Sequence, residues 1–146
     1  MDKFDERILR ELKLDGRISN VELSERVGLS ASATLRRVQE LERRRVIKGY
    51  RAVLDGASLG VGFVAYVSIG LASHTRKAQL EFEHFVRDVD EVVECHNITG
   101  ANEYLLRVET ADLSSYKRIH ADVLGECPQV QSLTTMVVMD SPKDDR

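Results

Sequence analysis

The chain has 146 residues, of which 42% are hydrophobic and 31% charged, with a formal net charge of −3. This length suits one ordinary domain or two small ones, and the composition excludes disordered and fibrous classes of protein. No apolar run approaches the ~20 residues that cross a bilayer, and the polar, acidic start of the chain lacks the pattern of a signal peptide. We therefore expect a cytoplasmic protein without a membrane partner.

The charges are unevenly distributed along the chain. Residues 1–50 hold 12 Lys and Arg against 9 Asp and Glu, a net charge of +3, whereas residues 51–146 hold 9 against 15, a net charge of −6. A basic first third beside an acidic remainder indicates an anion-binding module attached to a second domain. Cys95 and Cys127 are the only cysteines, and without a C-x-x-C motif we expect two reduced thiols.

The first helix is expected from about Lys3 to Leu14, with Asp2 as its N-cap. Its apolar stripe consists of Phe4, Ile8, Leu9 and Leu12. Asp15-Gly16 then ends the helix, because glycine is unfavourable in helices and frequent just after them.

Residues 19 to 45 predict two short helices joined by a tight turn. Ser19 and Glu22 form a capping box at the start of the second helix, and Gly28 ends it in the left-handed conformation. Ser30 is the expected N-cap of the third helix. The second helix runs over the apolar residues Val21, Leu23 and Val27. The expected buried stripe of the third helix consists of Leu35, Val38 and Leu41.

The segment after the third helix predicts a wing and then a linker. Val46-Ile47 and Val53-Leu54 flank a polar turn, which indicates a small two-stranded wing. Three glycines follow within residues 55–62, which indicates a hinge. We place a helix-turn-helix domain at residues 1–50 and the linker at 51–62.

Beyond residue 62 the apolar residues alternate along the chain, which predicts a strand over residues 63–71. The further elements expected are a helix from about Arg76 to Asp88, strands at Val92–Thr99 and Tyr104–Glu109, a helix capped by Asp112, and a strand at Val130–Met139. This order of elements is typical of the ferredoxin-like βαββαβ fold, an antiparallel sheet with two helices on one face. The fold class is therefore α+β, with this domain at residues 63–140 and a frayed polar tail at 141–146.

Segments in both halves together resemble the Lrp/AsnC family, the feast/famine regulators of bacteria and archaea. In the first half they are D-E-R-I-L-R-E-L from Asp5, D-G-R-I-S-N-V-E-L-S-E-R-V-G-L-S from Asp15, L-R-R-V-Q-E-L-E from Leu35 and V-I-K-G-Y-R-A from Val46. In the second half they are V-E-C-H-N-I-T-G-A-N-E-Y-L-L from Val93 and T-T-M-V-V-M from Thr134. The resemblance implies a DNA-binding helix-turn-helix, a hinge strand and a C-terminal domain that dimerises. It also implies further assembly of dimers, into tetramers or octamers, and small effectors such as amino acids at the interfaces between dimers.

The third predicted helix has the features of a DNA recognition helix. If its apolar stripe faces inward, its N-terminal residues point outward, where they reach base edges in the major groove. We expect Arg36 or Arg37 to contact guanine, and Ser32 or Thr34 to contact bases or phosphates. The alternative is a solvated face on which glutamates pair with arginines one turn away. The expected DNA-contacting residues are Arg17, Ser30, Ser32, Ala33, Thr34, Arg36, Arg37, Glu40 and Lys48.

The segment Gly100 to Tyr104 stands where the resemblance places the effector loop. Gly100 allows backbone N–H groups to approach a carboxylate, Glu103 can pair with an α-ammonium group, and Thr134 can add a hydrogen bond. The alternative is a plain β-hairpin turn, for which Gly-Ala-Asn-Glu is also suitable. The expected effector-binding residues are Ile98, Thr99, Gly100, Ala101, Asn102, Glu103, Tyr104 and Thr134.

No residue pattern predicts catalysis, a metal or a cofactor. Cys95 and His96 are adjacent on a predicted strand, so they face opposite sides and cannot bind one ion together. We expect a sequence-specific transcriptional regulator rather than an enzyme; the alternative is a metabolite-sensing or structural oligomer that binds DNA mainly nonspecifically. The sheet face without helices is expected to pair with a second copy, because Val64, Tyr66 and either Leu105 or Val108 would otherwise form an exposed apolar patch.

Overall fold

The computed structural model describes residues 1–144. They fold into two compact units, Met1–Val53 and a second unit that begins at Leu54. Positions 145 and 146 of the predicted polar tail lie outside the described residues. In the described part of the chain, no helix is long and apolar enough to cross a membrane.

Three helices form the first unit: α1 (Lys3–Leu14), α2 (Asn20–Val27) and α3 (Ala31–Arg43). Asp2 caps α1 as predicted, because its carboxylate accepts hydrogen bonds from the N–H groups of Phe4 and Asp5. The three helices bury a common core of Ile8, Leu23, Val27 and Leu41, against which Leu9, Leu12, Ile18, Leu29, Val38 and Ile47 pack. The predicted bounds of the first helix are confirmed.

The turn between α2 and α3 has the predicted chemistry, but the cap of α2 is simpler than expected. Gly28 adopts a φ of 75°, and the Ser30 hydroxyl accepts a hydrogen bond from the N–H of Ala33. Ser19 likewise accepts from the N–H of Glu22. The Glu22 carboxylate, however, lies 2.6 Å from Arg26 Nη2, so an ion pair one turn along the helix replaces the second half of the predicted capping box.

The buried stripe of α3 differs from the predicted one. Leu35 is 47% exposed, whereas Thr34 is fully buried beside Val38 and Leu41. A step of three residues falls about 60° short of a full turn, so the spacing 35, 38, 41 drifts around the helix, whereas 34, 38, 41 stays on one face. In α2, Leu23 and Val27 are buried, whereas Val21 is exposed.

The predicted two-stranded wing is absent, since residues 46–54 contain no strand. The N–H groups of Val46 and Ile47 bond to the carbonyl of Leu41 at the end of α3. They therefore complete the last turn of the helix and do not pair with a second strand. Further along, the Tyr50 hydroxyl donates to Glu42 on the same helix.

The second unit begins with a 3-10 turn (Ala57–Leu59) and continues as β1 (Phe63–Leu71), α4 (Arg76–Arg87), β2 (Val92–Asn97), β3 (Tyr104–Thr110), α5 (Leu113–Arg118), a π-helical turn (Ile119–Leu124) and β4 (Val130–Val137). Its four strands form one antiparallel sheet in the order β2-β3-β1-β4. This is the predicted ferredoxin-like arrangement, so the α+β fold class is confirmed.

Alternate residues of the sheet face the two helices. On β1, the residues Ala65, Val67 and Ile69 are buried in a core that includes Phe82 of α4 and Tyr116 of α5. The side chains between them lie on the other face, hereafter the open face: Val64, Tyr66, Ser68 and Gly70 on β1, with Leu105, Arg107, Ser132, Thr134 and Met136 as cross-strand partners. Val108 is fully buried beneath the helices, so its predicted place on the open face is wrong, whereas Leu105 does lie there.

Candidate DNA-binding and effector sites

One side of α3 is exposed from its first turn to its last. The residues on it follow a helical spacing: Ser32, Leu35, Arg36, Gln39 and Arg43. Within the described residues, the Arg36 guanidinium has neither a hydrogen bond nor an ion pair. Its donors are therefore free to contact a ligand.

Arg37 is directed toward α1. Its Nη1 donates to Asp2 Oδ2 and Asp5 Oδ1, both at 2.8 Å, and its guanidinium lies 5.5 Å from the centroid of the Phe4 ring. The hydrogen bonds to Asp5 and Asp2 raise the pKa of Arg37, while the N–H of Asp5 and the Arg37 guanidinium lower the pKa of Asp2. Because these contacts hold the side chain against the start of α1, they contradict the predicted exposure of Arg37 to a guanine.

The side chain of Thr34 is also not available for the predicted contact with DNA. Its side chain is fully buried, and Thr34 Oγ1 has no hydrogen-bond partner among residues 1–144. The residue lies four and seven positions before Val38 and Leu41, which places it on the core face of α3. The prediction that Thr34 contacts bases or phosphates is therefore wrong.

The other predicted residues differ in how available their side chains are. The Ser30 hydroxyl is used as the helix cap, and Ala33 is partly buried. Glu40 Oε1 lies 2.7 Å from Arg43 Nη2, and this hydrogen bond lowers the pKa of Glu40, as the alternative of a solvated, ion-paired face anticipated. Besides Ser30, the predicted residues that are exposed are Arg17, Ser32, Arg36 and Lys48.

Two residues on the outward side of α3 were missed by the sequence argument. Leu35 was assigned to the core because it is apolar, and Gln39 was overlooked because it carries no charge. Leu35 lies three residues after Ser32, and Gln39 lies seven residues after it. Helical spacing measured from that exposed serine therefore identifies both residues.

The predicted effector segment, Ile98–Glu103, is held at its C-terminal end by contacts with β1. Asn102 Nδ2 donates to Ser68 Oγ at 2.7 Å, and Glu103 Oε2 accepts from the N–H of Leu71 at 2.7 Å. Glu103 Oε1 lies 2.5 Å from His74 Nδ1. The Leu71 N–H and His74 both lower the pKa of Glu103. Both carboxylate oxygens of Glu103 are thus engaged by this chain.

The first part of the segment is exposed and lies next to a polar cluster on the open face. Ile98, Thr99, Gly100 and Ala101 are all exposed, and Gly100 has a φ of 120°. Thr134 lies directly opposite Ser68, whose hydroxyl binds Asn102, so the structure brings these three residues together. A Cβ at Gly70 would lie 2.8 Å from Asn102 Oδ1, which shows how closely the loop approaches β1.

Tyr104 does not belong to this cluster. It begins β3 opposite Ile69, so its side chain faces the helices, where it is 1% exposed. Its hydroxyl donates to Glu83 Oε1 at 2.6 Å, and burial followed by this hydrogen bond raises the pKa of Tyr104. The prediction that Tyr104 contacts an effector is therefore wrong, because the alternation of the strand directs it to the opposite face.

The described residues contain no group of three or more potential metal ligands. Both cysteines are free thiols; Cys127 is buried, and burial followed by the charge of Glu83 raises the pKa of Cys95 to about 11. A thiol with a raised pKa is a poor nucleophile at neutral pH.

Two family models match the two units of this chain. The model for the "Lrp/AsnC ligand binding domain" matches residues 64–146, and a model for "Winged helix-turn-helix DNA-binding" matches residues 1–48.

Individual relatives match over nearly the whole chain. The proline dehydrogenase transcriptional activator of Rhizobium radiobacter is 42% identical over 144 residues, which cover 99% of this chain and 92% of the relative. The leucine-responsive regulatory protein of Escherichia coli K12 is 40% identical over 143 residues, covering 98% and 87%. Among solved structures, a transcriptional regulator of Neisseria meningitidis in complex with L-Met has a TM-score of 0.95 and 34% identity, covering 99% of this chain and 93% of that one.

Proposed function

The chain belongs to the Lrp/AsnC family of DNA-binding transcriptional regulators, and we propose that it contacts its DNA target through the exposed side of α3. The observation that carries this proposal is the exposed guanidinium of Arg36, the sixth residue of α3, which has no partner among the described residues. A bidentate contact from arginine to guanine is the commonest specific contact in the major groove. Ser32 lies one turn earlier on the same side and adds a hydroxyl for bases or phosphates.

Phosphate contacts in this proposal come from the basic residues at the ends of the helices. Arg17 is exposed just before α2, and Lys48 is exposed after α3. Contacts to phosphates fix the position of a protein on the duplex and add salt-dependent affinity, but they do not select a sequence. Substitutions of base-contacting residues and of phosphate-contacting residues should therefore have different effects on sequence specificity.

The experiment compares variants on a DNA site selected by the wild-type protein from random duplexes. Arg36→Ala is expected to cost about 1–3 kcal/mol in binding and to relax preference at one base pair. Arg17→Ala is expected to weaken binding to all sequences alike and to reduce the salt slope by about one. Arg7→Ala, an exposed arginine on α1, is the matched control. The measurement is fluorescence anisotropy over a series of salt concentrations.

An unchanged preference in Arg36→Ala would contradict the assignment of the base contact. Footprinting distinguishes the alternative function, an oligomer with mainly nonspecific affinity. Protection of defined half-sites supports the regulator, whereas uniform coating that disappears with modest salt supports the alternative.

We further propose that the second unit binds a free amino acid beside residues 98–101. Support comes from the exposed loop, from the nearby Thr134, and from the Neisseria regulator, which is in complex with L-Met. Because Glu103 is already bonded to Leu71 and His74, its part in this proposal is to hold the loop in place.

Thermal unfolding in the presence of each of the twenty amino acids tests the effector proposal. A ligand that binds only the folded state raises the melting temperature, and the increase grows with the logarithm of the ratio of its concentration to Kd. We expect an increase for at least one amino acid and a smaller one in Thr134→Val, while Ser114→Ala on α5 behaves as wild type. The absence of an increase with every amino acid would contradict the proposal.

We propose that the active form is a homodimer, or a larger assembly of dimers, formed through the open face of the sheet. Support comes from the partly buried apolar side chains that this face leaves uncovered, including Val64, Tyr66 and Leu105. A second copy with the same surface covers such a face by twofold symmetry.

A further inference from the structure

We infer that Leu35 selects a thymine in the DNA target by packing against the 5-methyl group of that base. This inference rests on the proposed contact between α3 and DNA. Leu35 is 47% exposed, and in α3, all of whose residues are described, no other large apolar side chain is exposed.

Thr34 and Leu35 are arranged in the reverse of the order that would make the folded unit most stable. The hydroxyl of Thr34 is buried and has no hydrogen-bond partner in the part of the chain that the structure describes, while the isobutyl group of Leu35 contacts solvent. An apolar group at position 34 and a hydroxyl at position 35 would remove both costs. Arrangements that break such rules are expected where function requires the side chain. The exposed position of Leu35 is thus explained by a contact with another molecule.

The location of Leu35 suits a contact with base edges. It is the fifth residue of α3, adjacent to Arg36 and one turn before Gln39. Residues in the N-terminal half of a recognition helix are those that reach the bases. The polar side chains of Arg36 and Gln39 thus lie beside Leu35 on the surface proposed to face the groove.

The chemistry of the major groove then identifies the base. Thymine alone among the four bases presents a methyl group there, and apolar side chains recognise it by contact. A leucine has no donor or acceptor with which to bind the other bases. Its expected partner is a thymine next to the base pair contacted by Arg36.

Uracil substitution tests this contact directly, because uracil differs from thymine only by lacking the methyl group. Each thymine of the selected site is replaced in turn, and binding of wild type, Leu35→Ala and Leu35→Met is measured by fluorescence anisotropy. Leu14→Ala is the matched control, since Leu14 is an exposed leucine on α1. At one thymine per half-site we expect uracil to weaken wild-type binding about fourfold, the value of one buried methyl-sized group.

Leu35→Ala should bind thymine and uracil at that position equally, while Leu35→Met and Leu14→Ala should discriminate as wild type does. The inference is overturned if wild type has no uracil-sensitive position, or if Leu35→Ala keeps the full sensitivity. It is also overturned if Leu35→Ala changes only the oligomeric state, which would assign the side chain to a protein contact. Arg36→Ala reports separately on the proposed function: its loss of base preference can persist when the leucine effect is absent.

Discussion

Adjacent residues of α3 have different roles because 100° of rotation separates them. Arg36 is exposed and unpartnered within the described residues, whereas Arg37 bonds to Asp2 and Asp5 of α1. The two arginines are chemically identical, so only their neighbours decide which one can contact DNA. Substitution of Arg37 leaves the carboxylates of Asp2 and Asp5 without this partner. We therefore expect it to change the stability of the first unit and not the preference for a base.

The buried hydroxyl of Thr34 gives a prediction for single-residue stability. Thr34→Val replaces the unpartnered hydroxyl with a methyl group of similar shape, so the cost of burying that polar atom disappears. We expect the free energy of unfolding of the first unit to rise by about 1 kcal/mol. Thr34→Ala, which also removes a methyl group and leaves a cavity, should not stabilise it. Urea unfolding followed by circular dichroism measures both; a destabilised valine variant would show that the hydroxyl has a partner in solution.

At the scale of elements, the geometry of α2 and α3 depends on a turn of very few residues. Gly28 has a φ of 75°, and its N–H bonds to the carbonyl of Ser24, while Asn20 Nδ2 donates to the carbonyl of Ala31. The first of these hydrogen bonds closes the end of α2, and the second joins the start of α2 to the start of α3. The direction in which α3 presents its outward side is therefore fixed at the turn.

A comparison of two glycines tests the turn. Apart from their chain neighbours, no described residue has an atom within 4 Å of where a Cβ would stand on Gly28 or Gly49. Of these two glycines, only Gly28 has a positive φ. Gly28→Ala should cost about 1–2 kcal/mol of stability, because L-residues are strained in the left-handed region. Gly49→Ala, the control, should be close to neutral. Equal effects of the two substitutions, measured by thermal unfolding, would contradict the strained-turn explanation.

The loop between β2 and β3 should respond to acid through Glu103. The Leu71 N–H and His74 hold its pKa below the usual value of 4.5. A group whose pKa is lowered in the folded state stabilises that state fully above its unfolded value, and this contribution is lost as the pH falls through the folded-state value. Wild type should thus be more stable than Glu103→Gln at about pH 6–7, and the difference should shrink below about pH 4.5.

The matched variant keeps an acceptor oxygen for Leu71 but cannot titrate. The measurement is the midpoint of thermal unfolding of both proteins across this pH range. If the two curves remain parallel at all pH values, the carboxylate does not hold the loop in solution.

At the scale of the whole molecule, the open face of the sheet is the surface best suited to a second copy. Arg107 is only 6% exposed there, although no helix of the described residues covers this face. Its guanidinium donates to Glu109 and to the Tyr66 hydroxyl and lies 5.5 Å from the centroid of the Tyr66 ring. The surface therefore combines apolar side chains with an ordered ionic cluster. When two such faces pair with each other, their polar groups can keep their hydrogen-bond partners, as stable interfaces require.

A charge placed on this face should prevent the proposed assembly. Met136 is 46% exposed opposite Tyr66, so Met136→Asp would bury a carboxylate in a dimer formed there. Leu80→Asp is the control, because Leu80 is similarly exposed on α4. Light scattering at micromolar concentration should find no monomer in wild type or Leu80→Asp, and a monomer in Met136→Asp. A monomeric wild type would contradict the proposed homodimer.

Apart from the predicted wing, which is absent, the order of the helices and strands followed from the sequence alone, with bounds close to those observed. Short-range rules suffice for them: the alternation along β1 gave its buried face, and Ser30 and Gly28 marked a helix start and a helix end because capping depends on residues within one turn. The same rules gave the α+β class.

Only the tertiary structure decided which side chains are available at the two candidate sites. Thr34 is buried, Arg37 is bound by residues more than thirty positions away, and Tyr104 faces the helices. The partners of Glu103 come likewise from β1 and the segment after it. These outcomes depend on contacts between distant parts of the chain, which no local spacing contains, and such contacts determine whether a polar group meets solvent, a ligand or another residue of the same protein.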